Sequence, residues 1–292
     1  MARSNKTAVL ITGCSSGIGR ATAERLARGG HAVYATARRP EAIEDLARSG
    51  CKLLPLDVCD DESMAAAVKE VESAEGAVGV LVNNAGYGQD GAVEAVPIGE
   101  ARRQLETNVL GPLRLTQLAL PGMRRAGRGR IVNVSSMGGR VTIPGGGVYH
   151  ASKYALEALS DALRFEVRGF GVDVVLIEPG LIRTRFGDTV IGGLPGGEDG
   201  GPYAEFNEAL TKQVQSAYSG LVGKLVAAGP DRVARAIEKA ISVERPRARY
   251  VVTPTARLMI EMHRLLPGRA FDLLMRTQFP TPRQRNAETT AI

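Results

Sequence analysis

A doubly wound parallel sheet in three α/β/α layers, with a C-terminal helical extension, is the fold class that this sequence predicts. Three observations predict it. Short apolar runs alternate with amphipathic helical stretches along most of the 292 residues. The first run, "TAVLIT", is continuously apolar rather than alternating, the mark of a strand covered on both faces. Glycines cluster in the turn between the first run and the first helix. Strand–helix units repeated at this length build a parallel sheet with right-handed crossovers.

The elements follow in order. "TAVLIT" (7–12) is the first strand, and "GIGRATAERLARGG" is a helix stopped by Gly29 and Gly30. "HAVYATAR" (31–38) is the second strand, and "EAIEDLARSG" a second helix ended by Gly50. "CKLLPLDV" (51–58), "VGVLVNNAG" (78–86), "GRIVNVSS" (129–136) and "VDVVLIEPG" (172–180) are further strands, and "RARYVVTP" (247–254) reads as the last. Residues 1–254 form one domain by this reading, with no second core and no low-complexity linker. The one long Gly-rich interruption, "GDTVIGGLPGGEDGGPYAEF" (187–206), follows a strand's carboxyl end, so 187–230 reads as a substrate lid. In the basic extension, 255–292, Leu258, Met262, Leu265 and Leu266 recur at helical spacing before Pro267-Gly268 breaks the helix. That stripe is expected to pack over the substrate pocket or the sheet edge, with a subunit interface or a membrane surface as the alternatives.

Composition excludes several function classes. Hydrophobic residues make up 44% and charged residues 23%, ordinary for a chain with a real core. The net charge is +6, but Arg245 to Asn286 alone carries nine Arg against two acids. The rest of the chain is close to neutral, which argues against a nucleic-acid-binding face. The basic tail is either a solvated segment or one that meets an acidic partner or an anionic membrane. Three cysteines without CxxC spacing fit a reducing compartment. No run approaches the ~18 apolar residues of a membrane span, and the N-terminal run is short for a secretory signal. The expected location is the cytoplasm. His31, His150 and His263 show no metal-ligand spacing, so no metal site is expected.

Two segments carry chemistry. In "ITGCSSGIGR", Gly13, Gly17 and Gly19 let backbone approach a pyrophosphate, and the next helix offers its positive end to phosphates. Ser15, Ser16 and Ile18 belong to the same loop. The second strand ends "YATARRP", with Ala37 where an acid would bind a ribose 2′-hydroxyl and Arg38 and Arg39 just after. Alanine leaves room for a 2′-phosphate and guanidinium groups pair with it, which points to NADP(H). Asp57 and Val58 end the third strand near the expected adenine, and Asn83, Asn84, Ala85 and Gly86 end the fourth. A cofactor contact and a purely structural role remain equally open for Asn84. Further on, Ser136 ends a strand, and Tyr149 and Lys153 lie one turn apart on the next helix. His150 reads as a neighbour at the pocket edge, Cys14 as a small packed residue, and Tyr154 as packing on another helix face.

With "TGCSSGIG", "NNAG", "SSMGG", "YHASK" and "EPG" in this order, residues 6 to 184 resemble a short-chain dehydrogenase/reductase, a Rossmann-fold family. "VLITGCSSGIG", "VYATARR" and "YHASKYALEAL" are most similar to its 17β-hydroxysteroid and retinol dehydrogenase branch. The resemblance implies Tyr149 as catalytic acid/base and Lys153 as the cation that lowers its pKa and holds the nicotinamide ribose. It implies Ser136 as the donor to the substrate oxygen and Asn108 as support for a proton relay. Pro179, Gly180 and Thr184 match the segment that folds over the nicotinamide. Cys14 departs from those NADP-dependent members that place a basic residue there, leaving Arg38, Arg39 and Ser16 to select the phosphate. The implied reaction is hydride transfer between NADP(H) and a carbonyl or secondary alcohol, of a bulky steroid-, retinoid- or polyketide-like kind given the lid and apolar tail. A homodimer or homotetramer, paired through the helices of Asn108 and Tyr149, follows from the same resemblance. The rival readings are a catalytically silent NADP(H) sensor or scaffold, and a peripheral membrane or partner-binding protein working through its tail.

Overall fold

The computed structural model describes residues 7–184, 202–219 and 227–282. Seven parallel strands form one sheet in the order β3-β2-β1-β4-β5-β6-β7. They are β1 (Ala8–Ile11), β2 (Ala32–Ala37), β3 (Lys52–Pro55), β4 (Val80–Asn83), β5 (Gly129–Val134), β6 (Val172–Glu178) and β7 (Arg249–Val251). Nine α-helices lie among the described residues: α1 (Gly17–Arg28), α2 (Asp61–Glu75), α3 (Ile98–Leu105), α4 (Gly111–Ala126), α5 (Gly147–Glu166), α6 (Ala204–Ser219), α7 (Pro230–Ser242), α8 (Pro254–Leu265) and α9 (Gly268–Arg276).

Strand periodicity divides the core in two. Val9, Ile11, Val33 and Val132 face α1 and α7, whose Ala23, Leu26, Val233 and Ile237 are buried against them. Ala8, Leu10, Leu81 and Ile131 face α2 and α4 through Val68, Val71, Leu115 and Met123. Covering on both sides explains the unbroken apolar runs. The chain winds from β1 outward to β3, then crosses back to β4. This reversal leaves a crevice at the carboxyl ends of β1 and β4, the usual ligand position in open α/β sheets.

Two expectations need correction. Pro40–Ser49 winds as 3₁₀ turns, with Ile43 out of helical geometry (φ −131°, ψ 15°). Its buried residues, Ile43 and Leu46, stand three apart, which suits a three-residue turn better than an α-helix. Gly50 ends the segment in the left-handed conformation (φ 86°). In the extension, Leu258 and Leu265 are 60% and 72% exposed. The buried face is instead Ala256 and Ile260 on α8 and Phe271 and Met275 on α9. Ile260, Phe271 and Met275 join Val141, Phe206 and Leu210 in a third apolar cluster, against which Leu266 of the predicted stripe also packs. Of the expected lid, α6 supplies Phe206 and Leu210 to that cluster; 185–201 and 220–226 lie outside the described residues, as does the tail beyond 282.

No helix among the described residues is long and apolar enough to cross a membrane. No group of three or more His, Cys, Asp or Glu among them is arranged to hold a metal.

Candidate active site

The glycine loop is fixed by its own packing. A Cβ at Gly19 would stand 2.4 Å from both Asn84 Nδ2 and the Gly13 carbonyl oxygen, and one at Gly13 (φ 72°) 2.9 Å from Ala85 Cα. Asn84 Nδ2 donates to the Thr12 and Gly13 carbonyls at 2.8 and 3.1 Å. The Thr12 hydroxyl in turn accepts from the N–H groups of Asn84 and Ala85 at 3.0 and 2.9 Å. The Asn84 side chain therefore serves the loop. Gly17 (φ 59°) lies against Thr184, where a Cβ would approach Cγ2 to 3.0 Å. This brings Thr184 onto the loop.

The residues present fit a dinucleotide. Ser16 precedes α1 without capping it, and the first turn carries no acid. The positive end of α1 and its leading N–H groups are thus uncontested by a carboxylate. Ser15 is exposed and Ile18 half-buried in the same turn. Past β2, Ala37 is buried while Arg38 and Arg39 are exposed, and neither arginine has an ion pair among the described residues. Asp57 turns its carboxylate onto the Cys59 N–H at 3.0 Å, bracing its own loop. The Val58 carbonyl lies where a Cβ on Gly111 would come within 2.4 Å, so α4 rides directly on this strand end. Cys14 is packed, its thiol pushed up to about 12 by burial.

At the chemical end, β5 delivers Ser135 and Ser136. Ser135 is buried, whereas Ser136 is half-buried and its Oγ accepts from the Gly138 N–H at 3.0 Å, leaving the hydroxyl hydrogen to donate elsewhere. The Met137 N–H donates to the Pro179 carbonyl at 2.8 Å and ties this loop to the end of β6. On α5, Lys153 is buried and donates to the Val134 carbonyl at 2.9 Å. Its Nζ lies 5.9 Å from the centre of the Tyr149 ring. Burial holds the Lys153 pKa down at about 8, partly offset by the negative charge of Glu157 one turn later.

Asn108 sits in a π-helical turn (Glu106–Leu110) between α3 and α4. Such turns recur at functional sites because they aim one side chain inward. Its amide clasps the Tyr87 backbone, donating to the carbonyl at 3.0 Å and accepting from the N–H at 3.2 Å, and also donates to Ser152 Oγ at 3.0 Å. A Cβ on Gly86 would lie 3.0 Å from Asn108 Oδ1 and 3.7 Å from Lys153 Nζ. The structure thus gathers Gly86, Asn108, Tyr149 and Lys153 at the ends of β4 and β5. Asn83 is buried, and its side chain donates to Asn133 at 2.8 Å, which donates to Ser160 at 2.8 Å. Tyr154 points away and is 39% exposed rather than packed.

Sequence reasoning missed several participants. Thr12, Asn133, Ser152 and Ser160 are polar residues whose only signal was their place in apolar strands or on an inward helix face. It also missed a charged network beneath α5, where Arg249 reaches Glu157, Glu178 and Asp161 and Arg140 reaches Glu178. Asp90, in the loop after β4, was not singled out either. Burial alone raises its carboxyl to about 7.

Comparison with known proteins agrees with this geometry. The short chain dehydrogenase family model matches residues 7–191. The chain is 38% identical over 269 residues to the Escherichia coli oxidoreductase YbbO, covering 91% of this chain and 93% of that protein. It is 40% identical over 273 residues to 17-beta-hydroxysteroid dehydrogenase type 1 of Mus musculus, covering 87% and 77%. A solved short-chain dehydrogenase of Streptomyces avermitilis superposes with a TM-score of 0.79 at 36% identity, covering 94% of this chain and 97% of that one. The fold, the motifs at the sheet's carboxyl edge and these likenesses agree, and the chain belongs to the short-chain dehydrogenase family of oxidoreductases.

Proposed function

We propose that this oxidoreductase uses NADP(H) to interconvert a carbonyl compound and its alcohol, and that Tyr149, Lys153, Ser136 and Asn108 are its working residues. The observation that carries the reading is the buried Lys153 ammonium, pinned by the Val134 carbonyl and set 5.9 Å from the Tyr149 ring. The nicotinamide supplies the hydride when bound. Tyr149 gives its phenolic proton to the developing alkoxide, and the Lys153 charge stabilises the phenolate left behind. Ser136 donates to the same oxygen, which lowers the cost of charge building there. Asn108, clasped to the Tyr87 backbone, holds the floor of the site beside Lys153. The glycine loop and α1 hold the pyrophosphate, and Arg38, Arg39 and Ser16 take the 2′-phosphate. Val141, Phe206, Leu210 and Ile260 supply an apolar wall suited to a bulky, largely hydrophobic substrate. The mouse relative is named for a hydroxysteroid, which agrees with that class. Exposed Leu110 and Phe165 on the helices of Asn108 and Tyr149 favour pairing of two copies there.

The test is a carbonyl and alcohol panel with NADPH and NADH, run with Tyr149→Phe. The variant is expected to lose turnover by at least about a hundredfold while still binding NADPH in a fluorescence titration. An active Phe variant overturns the assignment of Tyr149.

A further inference from the structure

The reaction as proposed leaves Asp90 unused, yet Asp90 stands at the same end of the sheet as Tyr149. The N–H of the following Gly91 donates to the Gly145 carbonyl at 2.6 Å, which ties this loop to the start of α5. A Cβ at Gly146 would lie 3.6 Å from Asp90 Oδ1 and 2.7 Å from His150 Nε2. Glycine at 146 therefore leaves the carboxylate and the imidazole bordering one space at the first turn of α5. Tyr149 belongs to that turn, its ring centre 5.6 Å from that of His150.

The two groups offer the same polarity to that space. His150 Nδ1 lies 2.9 Å from the Gly138 carbonyl oxygen, which can only accept, so Nδ1 carries the hydrogen. Burial also lowers the His150 pKa, so the ring stays neutral and Nε2 presents a lone pair. When ionised, Asp90 presents a carboxylate with no hydrogen bond or ion pair to its side chain among the described residues. On either side of Gly146, Val93 lies against Gly147, and Leu210 against Gly145. Two acceptors facing one gap, with no donor hydrogen-bonded to the Asp90 carboxylate or His150 Nε2 among the described residues, are complementary to a donor-rich cation. An unpaired carboxylate is costly in such surroundings and gains most from a ligand that brings positive charge.

We propose that Asp90 and His150 Nε2 form a subsite for an ammonium group on the substrate, so that the carbonyl compounds turned over best are amino ketones with an apolar chain. This inference rests on the hydride-transfer reading above. The apolar chain runs along the wall of Phe206, Leu210 and Ile260, and the ammonium is held near the reacting carbon.

The experiment compares 1-amino-2-decanone with 2-decanone in the wild type, Asp90→Asn and Asp90→Leu. The wild type is expected to favour the amino ketone in kcat/KM, and both variants to lose that preference by roughly thirtyfold or more. An unchanged ratio in the variants, or no preference in the wild type, overturns the subsite. Calorimetric binding of n-octylammonium against n-octanol to the NADPH-loaded protein gives a readout independent of turnover. Selective n-octylammonium binding that Asp90→Asn abolishes supports the subsite, and its absence overturns it. If no carbonyl compound is turned over while that binding holds, the hydride-transfer reading fails and the cation site stands.

Discussion

Arg249, on the last strand, reaches Glu157 at 3.0 Å and so places a strand-edge cation one turn along α5 from Lys153. The same Nε lies 3.1 Å from Glu178, which is fully buried, and another guanidinium nitrogen reaches Asp161 at 2.7 Å. Removing the arginine leaves buried Glu157 without its cation and Glu178 with Arg140 alone. Arg249→Met is expected to destabilise the fold by about 3–5 kcal/mol, the range for breaking one side of a buried ion pair. Urea unfolding of the variant against the wild type measures this.

Glu157 also acts on the lysine. Its charge raises the Lys153 pKa against the lowering by burial, and the net result is about 8. Glu157→Gln removes that support, so the lysine loses its proton at lower pH. The alkaline limb of the kcat/KM profile is therefore expected to move to lower pH, with the acidic limb less affected. A limb that stays in place shows that Glu157 only braces β7.

For Asp90, the pH dependence of stability has a definite sign. Its folded pKa, about 7, lies above the unfolded carboxylate value, so the folded protein holds the extra proton between roughly pH 4 and 7. The carboxyl thus contributes stability in acid that is lost as pH rises through about 7. Asp90→Asn keeps a neutral side chain throughout. It is expected to raise Tm at pH 8 by about 2–4 °C, the shift that ~1 kcal/mol gives in a domain near this size, and to gain little at pH 4. Thermal scans at the two pH values check the difference.

The proposed choice of NADP(H) rests on Arg38 and Arg39, both exposed after the buried Ala37. Charge-assisted hydrogen bonds contribute about 1.5–3 kcal/mol. Arg38→Ala combined with Arg39→Ala is expected to raise the KM for NADPH by at least about tenfold and to leave that for NADH nearly unchanged. Initial rates at varied cofactor concentration measure both. Equal effects on the two cofactors contradict the 2′-phosphate assignment.

The centre of the sheet was legible because burial on both faces writes itself as apolar runs, as in β1, β2 and β4, whereas the edge strands β3 and β7 are only partly buried and were marked by their place in the strand–helix alternation. The extension was less legible. Leu258 and Leu265 have helical spacing, but the cluster around Phe206 takes Ile260 and Phe271 instead, and spacing alone does not say which stripe a neighbouring element will cover. The YxxxK pair stood out because one helical turn fixes its geometry locally. Arg249 and Glu157 are 92 residues apart, and only the sheet brings them together. Asp90 was silent for the opposite reason: a single acid in a loop resembles any solvated acid until the loop is seen tied to Gly145 at the start of α5.

The latch between Thr12 and Asn84 couples distant tasks. It joins the glycine loop to the tip of β4, and two residues later Gly86 touches Asn108 and Lys153. The separation between the loop proposed to cradle the pyrophosphate and Tyr149, the proposed proton donor, is thus set by the chain's own packing, like the jaws of a jig. Arg38 follows the carboxyl end of β2, which the Cys14 N–H ties to the same loop by donating to the Thr36 carbonyl at 2.8 Å. On the proposed reading, side-chain changes at 38 and 39 alter cofactor preference while that backbone spacing stays as it is.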